Sequence, residues 1–204
     1  MKRFNFKHLA LFTLVMPLAM TSCSDNEISP RQEGITAALY KDTVLITDTL
    51  NSELKLMAER QIVVERVRDI FGMVRDYQLK SGALSPGDLF DKTFCSKSWN
   101  KMLMAMRNKE YQTNTLFFEI DHWKMSREVG LVTFDEFECT RLAVDDTRKY
   151  ATVDFLVYEL DNYAPARVDM VYEDGRWVID NFYDMRFGVN IRNSMAEYIV
   201  ADVL

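Results

Sequence analysis

Histidine and cysteine are scarce in this sequence, which limits the chemistry that it can support. Its 204 residues include only two histidines and three cysteines. His8 lies in an N-terminal segment that we expect to be removed, so any Ser-His or Cys-His catalysis would have to use His122. A metal site with several histidine ligands is therefore excluded. The sequence also has no glycine-rich phosphate-binding loop, and we expect no cofactor.

The first 22 residues have the pattern of a secretory signal. Lys2, Arg3 and Lys7 form a basic end without an acidic residue, and an apolar stretch follows over residues 9–19. This stretch is much shorter than the roughly 20 residues that a membrane-spanning helix needs. We therefore expect cleavage of the segment rather than a permanent transmembrane anchor.

The residues at the expected cleavage point are Met20, Thr21, Ser22 and Cys23. They resemble the lipobox of bacterial lipoproteins, although that family prefers Leu at the position of Met20. The resemblance implies that Cys23 carries acyl chains and that the protein is exported and anchored to the outer membrane of a Gram-negative cell, facing the periplasm or the surface. Plain secretion with an incidental cysteine is the alternative. Residues 24–27 resemble an acidic surface-export tag, or they simply belong to a solvated tether.

The charge and length of the mature chain restrict its partners and its organisation. Cleavage removes three of the 25 basic residues and leaves 22 against 31 acidic ones, a net charge of −9 that argues against nucleic acid as a partner. The remaining 182 residues are enough for one domain with its own core. We predict a signal peptide over residues 1–22, a lipidated tether over 23–51 and a single domain over 52–204.

Helical periodicity begins after the tether. Residues 24–50 show no sustained helical period, and the run at 44–46 could form a short strand. An amphipathic helix capped by Asn51 or Ser52 is predicted next, ending near Gly82. Its apolar positions recur at steps of three and four residues: Leu54, Met57, Val64, Val67, Ile70, Phe71, Val74 and Tyr77.

Two shorter helices are predicted between this helix and the rest of the chain. Pro86 stands where the first turn of a short helix would begin. The other helix is expected near residues 96–109, with an apolar side formed by Trp99, Met102, Leu103 and Met106.

After Gly130 the pattern changes to extended runs. Strands are predicted over residues 132–144, 150–160, 166–172 and 176–183, with a tight turn at 173–175. A break at Gly188 precedes a C-terminal helix. The sequence therefore predicts an α+β fold, in which helices pack on one face of a curved antiparallel sheet of about four strands.

The last predicted hairpin carries a family resemblance. Residues 174–180 read Asp-Gly-Arg-Trp-Val-Ile-Asp, which resembles the final hairpin of nuclear transport factor 2-like domains. The resemblance covers roughly residues 53–184 and implies a cone-shaped sheet with helices at its N-terminal side. The C-terminal helix departs from that pattern and could cover the open end of the cone.

Few residues are candidates for a functional site. His122 follows Asp121, which could orient the imidazole, although a local turn contact is the simpler interpretation. The family resemblance implies an inward carboxylate that acts as a base, and Asp154 or Asp180 could take that place, with Trp177 beside it in the pocket. Both carboxylates are equally compatible with the solvated face of a sheet.

Cys95 and Cys139 are the two remaining thiols, and the expected compartment allows disulfides to persist. They could pair, or each could be a small buried apolar residue. Their spacing does not match a zinc site, and we expect no metal.

Three functional hypotheses follow. The favoured one is a non-catalytic envelope lipoprotein that binds a protein, a glycan or a small apolar ligand through the concave side of the sheet. The alternatives are an isomerase or cyclase with a buried carboxylate, and a structural accessory subunit of an envelope complex. An open cone would favour binding, and a filled cone would favour the accessory role.

Overall fold

A computed structural model describes most of the chain after its N-terminal segment. The described residues are 30–82, 84–117, 121–125, 130–145, 147–160 and 162–201, with the backbone alone between 30 and 49. The predicted signal peptide, Cys23 and the acidic residues after it lie outside this part. The described residues divide into two units, with the boundary between Thr47 and Asp48. Among the described residues, no helix has an apolar stretch long enough to cross a membrane.

The first helix, α1 (Pro30–Ser81), is much longer than predicted. Its end is confirmed, since Gly82 follows with a φ of 71°. The proposed caps Asn51 and Ser52 and the strand at residues 44–46 are wrong, because this part of the chain is helical. A helix satisfies its own backbone hydrogen bonds, whereas a lone strand would leave them without partners.

Two short helices follow, as predicted: α2 (Asp88–Phe94) and α3 (Lys97–Thr113). The side chain of Ser96 caps α3 by accepting a hydrogen bond of 2.8 Å from the Trp99 amide. The C-terminal helix, α4 (Ile191–Val200), is also confirmed. It packs on α3 and on the last long strand, and its Tyr198 hydroxyl donates to the Thr115 carbonyl over 3.2 Å.

The sheet has five antiparallel strands in the order β1-β2-β3-β4-β5. The four predicted strands are present, and the fifth has only two residues, too few for a visible alternation. Asp174 and Gly175 form the predicted tight turn, with φ values of 50° and 80°. The strands are β1 (Val132–Val144), β2 (Lys149–Glu159), β3 (Asn162–Glu173), β4 (Arg176–Asp184) and β5 (Val189–Asn190).

One face of the sheet, which we call the inner face, packs against α1. On β2 it is formed by alternate residues that are almost fully buried: Ala151, Val153, Phe155 and Val157. The side of α1 against it is fully buried at Val63, Val67, Ile70, Phe71 and Val74. The ring centroid of Phe71 lies 4.6 Å from that of Phe155 and 4.7 Å from that of Phe134. The predicted packing of helices on one sheet face is confirmed, and side chains of α1 fill the space over that face.

Candidate functional site

A buried carboxylate on α2 is the centre of a polar cluster. The side chain of Asp91 is fully buried. Its Oδ1 atom lies 2.8 Å from His122 Nε2 and accepts a hydrogen bond of 3.2 Å from Trp99 Nε1. The thiol of Cys95, one helical turn after Asp91, donates to the same oxygen over 3.8 Å. We call these four residues the Asp91 cluster.

Aromatic rings surround the Asp91 cluster. The His122 ring lies 5.0 Å from Phe182 and 5.7 Å from Trp123, measured between centroids. Burying a charge in such surroundings is costly unless hydrogen bonds compensate it. Oδ1 of Asp91 has three donors, whereas Oδ2 is buried without a partner in the described part of the chain. The cluster therefore joins α2, α3 and the turn at residues 121–125 through a single oxygen atom.

The Asp91 cluster does not present a reactive group to solvent. Burial raises the pKa of the Cys95 thiol well above its ordinary value, and the charge of Asp91 raises it further. The thiol is therefore protonated at neutral pH and is a weak nucleophile. His122 is only 6% exposed. Among the described residues, no three acidic, cysteine or histidine side chains are arranged to hold a metal ion.

Of the two interpretations of Asp121, the local turn contact is confirmed and the orientation of His122 is not. Asp121 does not orient the imidazole but caps the local turn, accepting hydrogen bonds from the backbone amides of Trp123 and Lys124. Its carboxylate also accepts a hydrogen bond of 3.0 Å from the Ser85 hydroxyl. An Asp two residues before an amide commonly closes a turn in this way, so adjacency to a histidine was a misleading signal.

The other predicted pocket residues have separate partners. Asp154 forms a bidentate pair with Arg167, with distances of 2.6 and 2.9 Å, on the sheet face opposite α1. Asp180 accepts a hydrogen bond from Ser96 and forms an ion pair with Arg192. In the described part of the chain, no hydrogen bond, ion pair or ring contact joins any two of His122, Asp154, Trp177 and Asp180.

Trp177 is a core residue. It is 2% exposed, and its indole donates a hydrogen bond of 3.1 Å to Glu59 on α1. Glu59 also accepts from Lys149 at 3.1 Å. Trp177 therefore contributes to the packing of the sheet on α1 and does not line an open cone.

Cys95 and Cys139 are free and buried, so the disulfide is not formed and the alternative of two separate thiols holds. The backbone of Cys95 forms an isolated β-bridge with Ile179 on one side of β4, whereas Cys139 is in β1. Three strands lie between them, each about 4.8 Å from the next. A disulfide requires Cα atoms within about 7 Å of each other.

A surface cavity of about 560 Å³ lies between α2, α3 and the β3–β4 hairpin. We call it the side groove. Its apolar lining comes from Leu103, Met104 and Val178. Two ion pairs stand on its rim, one between Asp88 and Arg107 and the other between Lys97 and Asp174, at 2.8 Å. Hydrogen bonding to these cations lowers the pKa of both carboxyl groups.

Sequence reasoning missed both Asp91 and the side groove. Asp91 lies between Phe90 and Phe94 in a short helix with an apolar side, and an acid in that position is a recognisable signal of a buried polar contact. The groove has no sequence signal, because it forms where two helices meet a distant hairpin.

We predict that the Asp91 cluster stabilises the fold. Replacement of Asp91 by Ala leaves the Trp99 and His122 nitrogens buried without an acceptor and should lower the free energy of unfolding by about 3 kcal/mol. Asp154→Ala removes a partly exposed pair and should cost at most about 1 kcal/mol. Urea unfolding followed by tryptophan fluorescence measures both. An Asp91→Ala variant as stable as the wild type would contradict this role.

We also predict that both thiols are unreactive in the folded protein. Burial raises the pKa of Cys139 as well as that of Cys95, and a raised pKa means less thiolate at neutral pH. Iodoacetamide should modify neither cysteine in buffer and both in urea, as read by peptide mass spectrometry. A peptide linked through Cys95 and Cys139 in a non-reduced digest would show that they pair after all.

Comparisons with protein-family models, with curated protein sequences and with solved structures gave no match to this chain. The site must therefore be interpreted from its own geometry. That geometry consists of a filled inner face, a buried polar cluster and a side groove with an apolar lining and a charged rim.

Proposed function

We propose that this protein is a membrane-anchored envelope lipoprotein whose folded domain binds a small molecule in the side groove without catalysing a reaction. The observation that carries the proposal is the side groove, a cavity with an apolar lining and a charged rim, because side chains of α1 already occupy the inner face of the sheet. Binding through the concave side, as first expected, would require these side chains to leave. The side groove offers a cavity within the usual range of about 300–1,000 Å³ for small ligands.

The anchor in this proposal is Cys23, which directly follows the signal-like segment. Several acyl chains, each contributing about 0.8 kcal/mol per buried methylene, would hold the protein to a membrane permanently. The motif favours the outer membrane of a Gram-negative cell. The acyl chains on Cys23 would then insert into the lipid bilayer.

We further propose that the domain belongs to the nuclear transport factor 2-like superfamily. The order of its elements supports this, since three helices precede a long antiparallel sheet. The hairpin that carries the resemblance has its tryptophan, Trp177, buried against α1. In this proposal α1 takes the space that would otherwise be the interior of the cone.

The side groove favours binding over catalysis. An isomerase or cyclase of the expected kind needs a carboxylate that faces an open cavity. Asp91 lines the side groove, but its side chain is fully buried and accepts hydrogen bonds from Trp99 and Cys95 and contacts His122. Asp154 and Asp180 are each paired with an arginine. Because of these contacts, the three carboxylates have a structural role and are not free to act as a base.

A structural accessory role is the second candidate, and the filled inner face favours it too. Part of α1 before Glu59 also carries exposed apolar residues. Leu50, Leu54 and Met57 are 57%, 56% and 64% exposed, and they continue the helical side that is buried further along at Val64. Contiguous exposed apolar residues of this kind mark interaction sites.

The anchor is tested by metabolic labelling with palmitate. The wild-type protein should be labelled and should partition with membranes, whereas Cys23→Ala should lose both the label and the membrane association. Cys95→Ala is the matched control and should be labelled like the wild type, since that thiol is buried. Equal labelling of Cys23→Ala and the wild type would overturn the anchor.

The side groove is tested with a neutral probe, hexyl glucoside. Its alkyl chain should shift the NMR signal of the ¹³C-labelled Met104 methyl group, which is 66% exposed within the groove. Asn108→Trp at the groove lining should block this shift, whereas Asn193→Trp, an exposed position on α4, should not. A Met104 signal that is moved neither by hexyl glucoside nor by charged probes with the same alkyl chain would contradict groove binding and leave the accessory role.

A further inference from the structure

The acidic residues of the side groove are all engaged by the protein itself. Asp88 pairs with Arg107, and Asp174 pairs with Lys97. Glu173 accepts a hydrogen bond of 3.1 Å from the backbone amide of Lys97, at the start of α3. Asp91 accepts hydrogen bonds from the other residues of the Asp91 cluster. Each of the four carboxylates therefore already accepts at least one hydrogen bond within the protein.

Two basic residues of the groove have no such partner. Lys92 and Arg176 both line the cavity and are exposed, and neither side chain makes a hydrogen bond or ion pair in the described part of the chain. The hydrogen bond and charge of Lys97 lower the pKa of Asp174, and the charge of Arg176 adds a smaller effect without a hydrogen bond. The formal charges of the lining balance, four acidic residues against four basic ones, but the two charged side chains left without a partner among the described residues, Lys92 and Arg176, are both cations.

Arg66 does not line the groove, but it lies close enough to Arg176 for the two charges to interact. The guanidinium of Arg66 on α1 donates to the Trp177 carbonyl over 3.2 Å and lies 5.6 Å from the centroid of the Phe94 ring. Burial lowers the pKa of Arg66, and the charge of Arg176 lowers it further, although Asp69 acts in the opposite direction. Two neighbouring guanidinium groups that repel each other are stabilised by an anion between them or beside them.

We propose that the side groove binds a small anionic amphiphile, an alkyl carboxylate or an alkyl phosphate. Its headgroup is held by Arg176 and Lys92, and its chain lies on Leu103, Met104 and Val178. Guanidinium groups bind carboxylate and phosphate oxygens in pairs, which gives both strength and orientation. This inference rests on the proposed function, because it names the class of ligand for the same groove.

The experiment compares four probes that share a hexyl chain and differ in headgroup charge. Hexanoate, hexyl phosphate, hexyl glucoside and hexyltrimethylammonium are titrated into the full chain, held in nanodiscs of zwitterionic lipid, and the Met104 methyl signal is followed. At least one anion should bind about tenfold more tightly than hexyl glucoside, and the cation should bind most weakly. Tighter binding of hexanoate would indicate a fatty acid as the ligand, and tighter binding of hexyl phosphate would indicate a phosphate ester.

A double variant tests the two basic residues. Arg176→Gln with Lys92→Gln should abolish the preference for anions and leave the affinity for hexyl glucoside unchanged. The matched control is Arg141→Gln with Lys55→Gln, two exposed residues outside the groove without hydrogen bonds or ion pairs of their side chains in the described chain. The buried methyl groups of Met170 and Met195 should not shift in either variant, which shows that the fold is intact.

The outcomes separate the two proposals. If hexyl glucoside binds the wild type as tightly as both anions, the groove binds small molecules but the anionic class is wrong. Retention of the anion preference in the Arg176→Gln, Lys92→Gln variant would also overturn the inference. If none of the four probes shifts Met104, the proposed function itself fails.

Discussion

The contact of Phe71 with the sheet determines which surfaces of the domain are open to a ligand. Phe71 lies midway along the buried side of α1, and its ring contacts Phe134, Phe155 and, from the turn beyond α3, Trp123. Burying an aromatic side chain of this size contributes about 3 kcal/mol, and aromatic pairs add to it. Because α1 is held in this way, the inner face serves as the core of the domain and is closed to a ligand.

The remaining helices are arranged around that core. The Asp91 cluster links α2, α3 and the turn at residues 121–125, and the Ser96 hydroxyl fixes the start of α3 beside β4. These polar contacts place two short helices against the β3–β4 hairpin, and the side groove is the space left between them. A groove that is already formed and whose acidic residues already accept hydrogen bonds needs little rearrangement to bind a ligand, which is the property expected of a binding protein.

Much of the fold follows from local patterns in the sequence. The limits of β1, the turn at Asp174 and Gly175, and the start of α3 at Ser96 were predictable, because alternation, turn chemistry and capping act between near neighbours. The two-residue β5 was missed because so short a strand has no pattern. The pairing of His122 with Asp91, 31 residues away, depends on tertiary packing, and so does the separation of Cys95 from Cys139. The same is true of the groove, whose lining comes from segments far apart in the chain.

The most direct test of this account is the stability of a Phe71→Ala variant, measured by urea unfolding. If α1 fills the inner face, the variant creates a cavity in the core and should lose about 3–5 kcal/mol of unfolding free energy. Met73→Ala, at a position on the same helix that is 38% exposed, is the control and should lose less than about 1 kcal/mol. Equal and small losses in the two variants would show that α1 does not cover the sheet, and the inner face would again be open to a ligand.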